Sequence, residues 1–475
     1  PSERISPETV NGDQPEYAVC GSFGISLSLE TLRRTAVLSV LFPHEVMLEM
    51  EICIKMKLVF RILLLLTPFI GLGCSDSEPE FSEEDLPNRT ILVYLAAENS
   101  LSSFALDDYD GMLLGMESVS EKNHLLVYVD VNKDKQGNTA LPQLIHIGKN
   151  ARTGLVEETL VYEYPEQDAS SVTVERMTDV FQRAFSTYPA KSYGLVLWSH
   201  GDGWLPVSKS LRSFGQDGGS SGPQMDILDL EEAVAKGTEF LGKASGFDFI
   251  YFDACFMQGI EVAYQFRNYT NYIVACPLET PGPGSPYDQV LNPLFADTQA
   301  NVVGMAETYY NSYADLYAGG VGGSNDHWTF GAAISVVQTS GLTALADETR
   351  VIYQAHSDKI YSLTEADLAD VQVYDPDRRY NGVYKQAYYD FGDLVKQLAT
   401  EEEYSRWKQA LDVAVPYKAS TPTCYSVYYG GWGGNMPIHS FSGLSSYFPF
   451  QNNTKYTDWN TYYKGLAWTE SLGMW

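Results

Sequence analysis

Downstream of position 90, short apolar runs alternate with stretches in which apolar residues recur every three or four positions. The first kind predicts strands buried on both faces, the second amphipathic helices. Strands are predicted over 91–97, 124–131, 143–147, 193–199, 247–252 and 272–276, and helices over 104–116, 172–188, 228–241 and 258–266. In the helix over 172–188, Val174, Met177, Val180, Phe181 and Phe185 share one face. This alternation implies an α/β fold, a mostly parallel sheet sandwiched by helices, over 89–320. Beyond it the pattern is less regular. Strands are predicted over 329–337, 424–429 and 443–448, helices over 342–363 and 390–415, and a flexible glycine-rich loop over 430–434. Residues 321–475 are therefore expected to form an α+β extension packed on the first domain.

The upstream segment follows other rules. Met56-Lys57-Leu58-Val59-Phe60-Arg61 is a basic stub, followed by an apolar run over 62–72 and by Gly73-Cys74. That order describes a secretory signal over 56–73, and the run is shorter than the ~20 residues a spanning helix needs. Leu72-Gly73-Cys74 resembles the lipobox of bacterial lipoproteins, which implies lipidation of Cys74 and a membrane anchor through it. Residues 74–88 then read as an acidic tether, and the protein as exported, either held in the cell envelope or secreted. Residues 1–55 precede a complete signal and begin with Pro1. They are expected to be a spurious or disordered upstream extension, with a genuine cytoplasmic segment as the alternative.

Composition narrows the function classes. The formal net charge of −30 and the lack of any basic stripe exclude nucleic acid as a partner. An acidic surface keeps a chain soluble and attracts cationic ligands. The six cysteines have no zinc-ligand spacing and are too sparse for a disulfide scaffold, so no structural metal is expected.

Ligands of an open parallel sheet bind at the carboxyl ends of its strands. Two such ends carry reactive residues: His200 in Ser199-His200-Gly201-Asp202-Gly203-Trp204, and Cys255 in Asp253-Ala254-Cys255-Phe256-Met257. Thiol catalysis needs a cysteine with a histidine in hydrogen-bond reach. Neighbouring strands would project both above one sheet edge. The backbone N–H groups of Gly201 and Cys255 would then offer an oxyanion hole. Taken singly, a strand-end cysteine is more often a small buried residue and a strand-end histidine a loop residue; the pair points to chemistry.

Four stretches together resemble clostripain-type cysteine peptidases of the caspase-like clan. They are Leu197-Trp198-Ser199-His200-Gly201-Asp202-Gly203-Trp204, Asp253-Ala254-Cys255-Phe256-Met257, Val93-Tyr94-Leu95-Ala96-Ala97-Glu98-Asn99-Ser100-Leu101 and Tyr389-Asp390-Phe391-Gly392-Asp393-Leu394. The resemblance covers roughly 88–450 and implies a caspase-like sheet, a His200/Cys255 dyad and protein or peptide substrates. It implies cleavage after basic residues, with Asp253 lining the primary pocket and Glu279 a second carboxylate. Structural readings remain beside these: a strand-end turn acceptor for Asp253, a turn cap for Glu279. The resemblance also implies self-cleavage in the 205–224 loop, where Lys209 and Arg212 are available. The segment from Glu279 to Tyr287 departs from the family pattern, because Pro281, Pro283 and Pro286 stiffen it and Ser-Pro replaces an expected Gly-Trp.

Other features carry less. No GxSxG elbow surrounds Ser199, and His327, His356 and His439 read as structural. No cofactor is expected to be required. Calcium, used by some relatives, has candidate ligands in Asp107, Asp108 and Asp110, but these lack an EF-hand pattern and read better as a solvated helix face. Two competing functions stand. One is an inert binding lipoprotein of the same fold, its 33 tyrosines and 8 tryptophans stacking on glycans. The other is a transpeptidase using the same acyl-enzyme.

Overall fold

The computed structural model describes residues 86–475, without 166–169, 207–212, 219–221, 243, 297–298, 318–326 and 432 or the side chains of 327 and 328. The signal segment, Cys74, Lys209, Arg212 and the side chain of His327 lie outside the described residues.

Nine strands form one sheet among the described residues. They are β1 (Arg89–Ala97), β2 (Asn123–Val131), β3 (Gln143–Lys149), β4 (Val156–Glu163), β5 (Ser192–Trp198), β6 (Phe247–Asp253), β7 (Thr270–Ala275), β8 (Ala333–Gln338) and β9 (Tyr417–Ser420). Their order is β9-β8-β7-β6-β5-β1-β2-β3-β4. The five central strands, β7-β6-β5-β1-β2, run parallel, and the two strands at each edge join antiparallel. The mostly parallel core follows from strands apolar on both faces: every residue of β1 is buried.

Alternate residues of these strands feed two cores. Leu92, Tyr94, Leu195, Leu197, Ile250 and Phe252 face α2 (Val174–Thr187), α3 (Ile227–Thr238) and α4 (Ile260–Phe266). Ile91, Val93, Val196, Trp198, Phe249 and Tyr251 face α1 (Ser102–Met116), α5 (Tyr287–Leu294) and α6 (Val302–Leu316). Phe81–Trp475 is one compact unit. The part beyond 320, expected as an extension packed on the catalytic domain, shares its sheet through β8 and β9.

Several predicted elements change form. The predicted strand over 443–448 reduces to Ser445–Ser446, paired with Tyr389–Asp390. The predicted helix over 390–415 is two helices, Phe391–Leu398 and Glu401–Ala414. Thr400 breaks the run by accepting the N–H of Glu403 in a capping box.

One buried ion cluster clamps this C-terminal part onto the loop after β5. Arg378, 1% exposed, donates from both terminal nitrogens to Asp202 at 2.7 Å and from Nε to Asp375 at 2.7 Å. Its guanidinium lies 4.1 Å from the ring centre of Tyr428 and 5.1 Å from that of Phe256. Tyr388 adds a bond from its hydroxyl to the Asp202 carbonyl, at 2.5 Å. Bidentate geometry and stacked aromatic faces are what a guanidinium needs to be held away from water. Replacing Arg378 by Met strands two buried carboxylates, so Arg378→Met is expected to lose about 3–5 kcal/mol in urea unfolding. The double variant Arg378→Met/Asp202→Asn is expected to recover part of that loss. An unchanged unfolding midpoint in the single variant would show that the clamp contributes no stability.

Candidate active site

β5 and β6 are parallel neighbours in a register that sets Trp198 opposite Asp253. Two residues further on, each chain delivers a reactive side chain, His200 from one and Cys255 from the other. The two loops touch: a Cβ on Gly201 would lie 2.7 Å from the Cys255 carbonyl oxygen and 3.0 Å from the Ala254 Cβ. Only glycine allows that approach. Directly after Cys255, Phe256 takes a left-handed backbone with φ of 61°. A bulky residue there is strained, and Phe256 is held by stacking on Tyr388, centroids 4.7 Å apart.

His200 is half-buried and held from two sides. Its Nε2 is 2.9 Å from Ser100 Oγ, and its carbonyl accepts the N–H of Gly215 at 2.8 Å. The Cys255 Sγ accepts the N–H of Thr280 at 3.4 Å. Burial pushes the Cys255 thiol up to about 12, with Glu279 adding to the rise and the Thr280 N–H opposing it. The group therefore rests as a thiol and needs a base to become a nucleophile.

The segment after β7 links this thiol to the carboxylate two residues upstream. Thr280 sits on Cys255, while the N–H of Ser285 donates to Asp253 Oδ2 at 2.9 Å and Tyr287 Oη donates to the same oxygen at 3.1 Å. Asp253 is 4% exposed, and its Oδ1 is buried without a hydrogen-bond partner among the described residues. Burial raises its carboxyl to about 6 against the pull of those donors. Glu279 caps the turn at 427, accepting the Val427 N–H at 2.8 Å, yet its Oε2 is buried without a hydrogen-bond partner among the described residues. Burial lifts Glu279 to about 7. Each carboxylate thus keeps a buried oxygen without a hydrogen bond among the described residues, and both charges disfavour the Cys255 thiolate.

The aspartates of α1 separate. Asp107 and Asp110 are exposed, and Asp110 pairs with Lys135. Asp108 is not on a solvated face: it is buried and accepts the Trp198 indole N–H at 2.8 Å. Burial, and then the nearby Asp253, lift its carboxyl to about 9. Gly284, with φ of 67°, fits between the two: a Cβ there would lie 2.9 Å from Asp108 Oδ2 and 3.1 Å from Asp253 Oδ2. Asp108 and Gly284 line a cleft of about 810 Å³. The other residues weighed in sequence have structural partners. Ser199 Oγ donates to the Ala96 carbonyl at 2.6 Å, His356 Nε2 lies 2.8 Å from Glu403 Oε2, and His439 donates its backbone N–H to Gln372.

Sequence reasoning leaves Ser100 unassigned, although it lies within one of the stretches that carry the resemblance. Asp108 was misassigned. The signal for Ser100 was its place just past β1, at the same sheet edge as His200.

Comparison with known proteins agrees with this fold. A model of the clostripain family matches residues 93–475. Clostripain from Hathewaya histolytica is 26% identical over 231 residues, covering 45% of this chain and 43% of that protein, so the match spans less than half of the relative's length. A secreted C11 cysteine protease from Bacteroides thetaiotaomicron, solved with an irreversible peptide inhibitor, is 38% identical over 81% of this chain and 98% of its own, with a TM-score of 0.69. An inactive zymogen C11 protease from Parabacteroides distasonis is 31% identical over 82% of this chain and 98% of its own, at a TM-score of 0.65. The chain belongs to the clostripain family of cysteine peptidases.

Proposed function

We propose that this chain is an exported endopeptidase that cleaves after Arg or Lys through a His200/Cys255 dyad. The observation that carries the dyad is the shared register: two adjacent parallel strands, paired through Trp198 and Asp253, end equally far from the two reactive residues. His200 takes the thiol proton, and the sulfur adds to the peptide carbonyl carbon. The backbone N–H groups of Gly201 and Cys255 receive the oxyanion that forms. Collapse breaks the C–N bond, the amine leaves with the proton from His200, and a thioester remains. Water, deprotonated by His200, then releases the carboxylic acid and restores the thiol. With an amine in place of water, the same thioester would give transpeptidation.

The basic preference rests on Asp253. Its unpartnered Oδ1 supports a socket for a substrate guanidinium or ammonium, with Glu279 as a second anionic wall. Self-processing at Lys209 or Arg212 is supported by the anchoring on either side of 207–212: the Asp202 N–H donates to the Ser213 carbonyl at 3.0 Å, and Phe214 pairs with both Gly201 and Met225. A cut between the anchors would leave both new ends attached. Export is supported by the relative described as secreted, and attachment to the envelope by the lipobox-like Leu72-Gly73-Cys74.

Fluorogenic peptides ending in Arg, Lys, Asp, Asn or Ala are expected to be cut after Arg or Lys only, and by no chain carrying Cys255→Ala. Cleavage of none of them, before and after deliberate nicking at 209–212, would favour the inert binding protein. The Cys255→Ala chain is expected to stay unfragmented; the same fragments in its preparations would sink self-processing. Asp253→Asn is expected to lower kcat/KM on Arg peptides by about a hundredfold, the scale of losing one partner of a buried charge pair. A carboxylate held at about 6 is ionised above that pH, so cleavage after Arg should rise through pH 6. That step should vanish in Asp253→Asn, and its survival there would assign it to another group.

A further inference from the structure

The turn after β1 brings one hydroxyl to the sheet edge that carries His200. Ser100 is exposed, and among the described residues its Oγ has one hydrogen-bond partner, His200 Nε2 at 2.9 Å. The turn itself does not need that side chain. Asn99, 2% exposed, builds it: Oδ1 accepts the Leu101 N–H at 2.8 Å, and Nδ2 donates to the Ala96 carbonyl at 3.1 Å. Asn132, just past β2, donates Nδ2 to the Asn99 carbonyl at 3.0 Å. The Ser100 hydroxyl is thus spared for the histidine.

The same turn is tied to the segment that holds the histidine backbone. Asn99 Nδ2 also donates to the Gln216 carbonyl at 2.7 Å, and the neighbouring Gly215 N–H donates to the His200 carbonyl at 2.8 Å. Ser199 Oγ closes the figure on the Ala96 carbonyl, at 2.6 Å. The main chain on both sides of the imidazole and the hydroxyl on its ring therefore share one frame. Holding the backbone still lets a histidine side chain turn about its own bonds. A contact on the ring is what sets its plane, and Ser100 makes one.

We propose that Ser100 is a positioning residue for the dyad, an inference that rests on the His200/Cys255 reading. Its Oγ accepts the Nε2–H of the neutral imidazole, which leaves the Nδ1 lone pair to take the Cys255 proton. As the sulfur adds to the carbonyl carbon, that proton moves to Nδ1, and the imidazolium keeps its Nε2–H on Ser100. The leaving amine then takes the proton from Nδ1. Orientation matters because the thiol is pushed up to about 12 and rests protonated, so transfer needs a base already in line. A neutral hydroxyl suits this place. A carboxylate would hold the ring more firmly, but it would join Glu279, Asp202 and Asp253, which already disfavour the thiolate.

The test compares full chains carrying Ser100→Ala and Ser100→Thr. On Arg or Lys peptides, Ser100→Ala is expected to lower kcat about tenfold and leave KM within about twofold, while Ser100→Thr keeps kcat within about threefold. Because Ser100 is exposed, both variants should melt with the parent. An unchanged kcat in Ser100→Ala, a loss carried by KM alone, or a loss that threonine does not restore overturns the role. A second arm needs no cleavage and reads the ring nitrogens by NMR, in Cys255→Ala chains with isotopically labelled histidine. The His200 ring, assigned by its loss in His200→Gln, is expected as the Nε2–H tautomer. Adding Ser100→Ala should shift its nitrogens, and adding Ser100→Thr should not. Identical nitrogen shifts with and without Ser100→Ala, or an Nδ1–H tautomer where Ser100 is intact, overturn the contact. If the parent cuts no peptide, the peptidase reading fails on its own, and the nitrogen spectrum still decides the contact.

Discussion

The bidentate bond between Arg378 and Asp202 is the joint on which the active edge depends. Asp202 lies two residues beyond His200, so whatever fixes its carboxylate also limits where the imidazole can sit. Phe256 lies one residue beyond Cys255, and its ring packs against the same guanidinium and Tyr388. Gly203 is pressed into the same joint: a Cβ there would meet Tyr388 Oη at 2.8 Å and the Phe256 carbonyl at 2.9 Å. One cation thus references both reactive strands to the C-terminal part of the chain. A hydrophobic side chain of similar volume could fill the space, but it would not fix orientation. Two hydrogen bonds at 2.7 Å to a single carboxylate do.

Electrostatics around the thiol pull in two directions. Glu279, Asp202 and Asp253 all disfavour the thiolate, after burial itself. For hydrolysis of neutral peptides such surroundings are a handicap. For a cationic substrate they are an asset, because a guanidinium between Asp253 and Glu279 would offset the charges that hold the thiol protonated. The same carboxylates would then serve selection and activation together. The proposed preference for basic residues would then have a physical reason beyond simple attraction.

The chain discloses its centre more readily than its rim. β1, β5 and β6 are apolar on both faces, so each stands out without any knowledge of its neighbours. β4 is largely exposed, its sequence VEETLVYE lacks a buried face, and it is missed. β9 is four half-buried residues that become a strand only by pairing with β8. His200 and Cys255 are legible because local pattern marks both strand ends. The Ser100 contact and the Arg378 clamp join residues 100 and 176 positions apart, and no local pattern encodes such a meeting. Asp108 looks solvated among its acidic neighbours because helix periodicity cannot tell that Trp198 waits on the facing strand.

The segment after β7 carries Pro281, Pro283 and Pro286, and the structure supplies a reason for its stiffness. It must run from the thiol to the buried carboxylate with both ends fixed, Thr280 on Cys255 and Ser285 on Asp253. Between them the Gly284 N–H donates back to the Pro281 carbonyl at 3.0 Å, and the Gly284 carbonyl accepts from Tyr313 at 2.6 Å. Pro286 then leads directly into α5, where a missing N–H is no loss. Three fixed φ angles leave the segment little freedom to surrender when substrate arrives. Glycine at those positions would let the wall adapt, at an entropic cost on each binding event. Proline sets the wall in advance, which would suit the proposed pocket for a basic side chain.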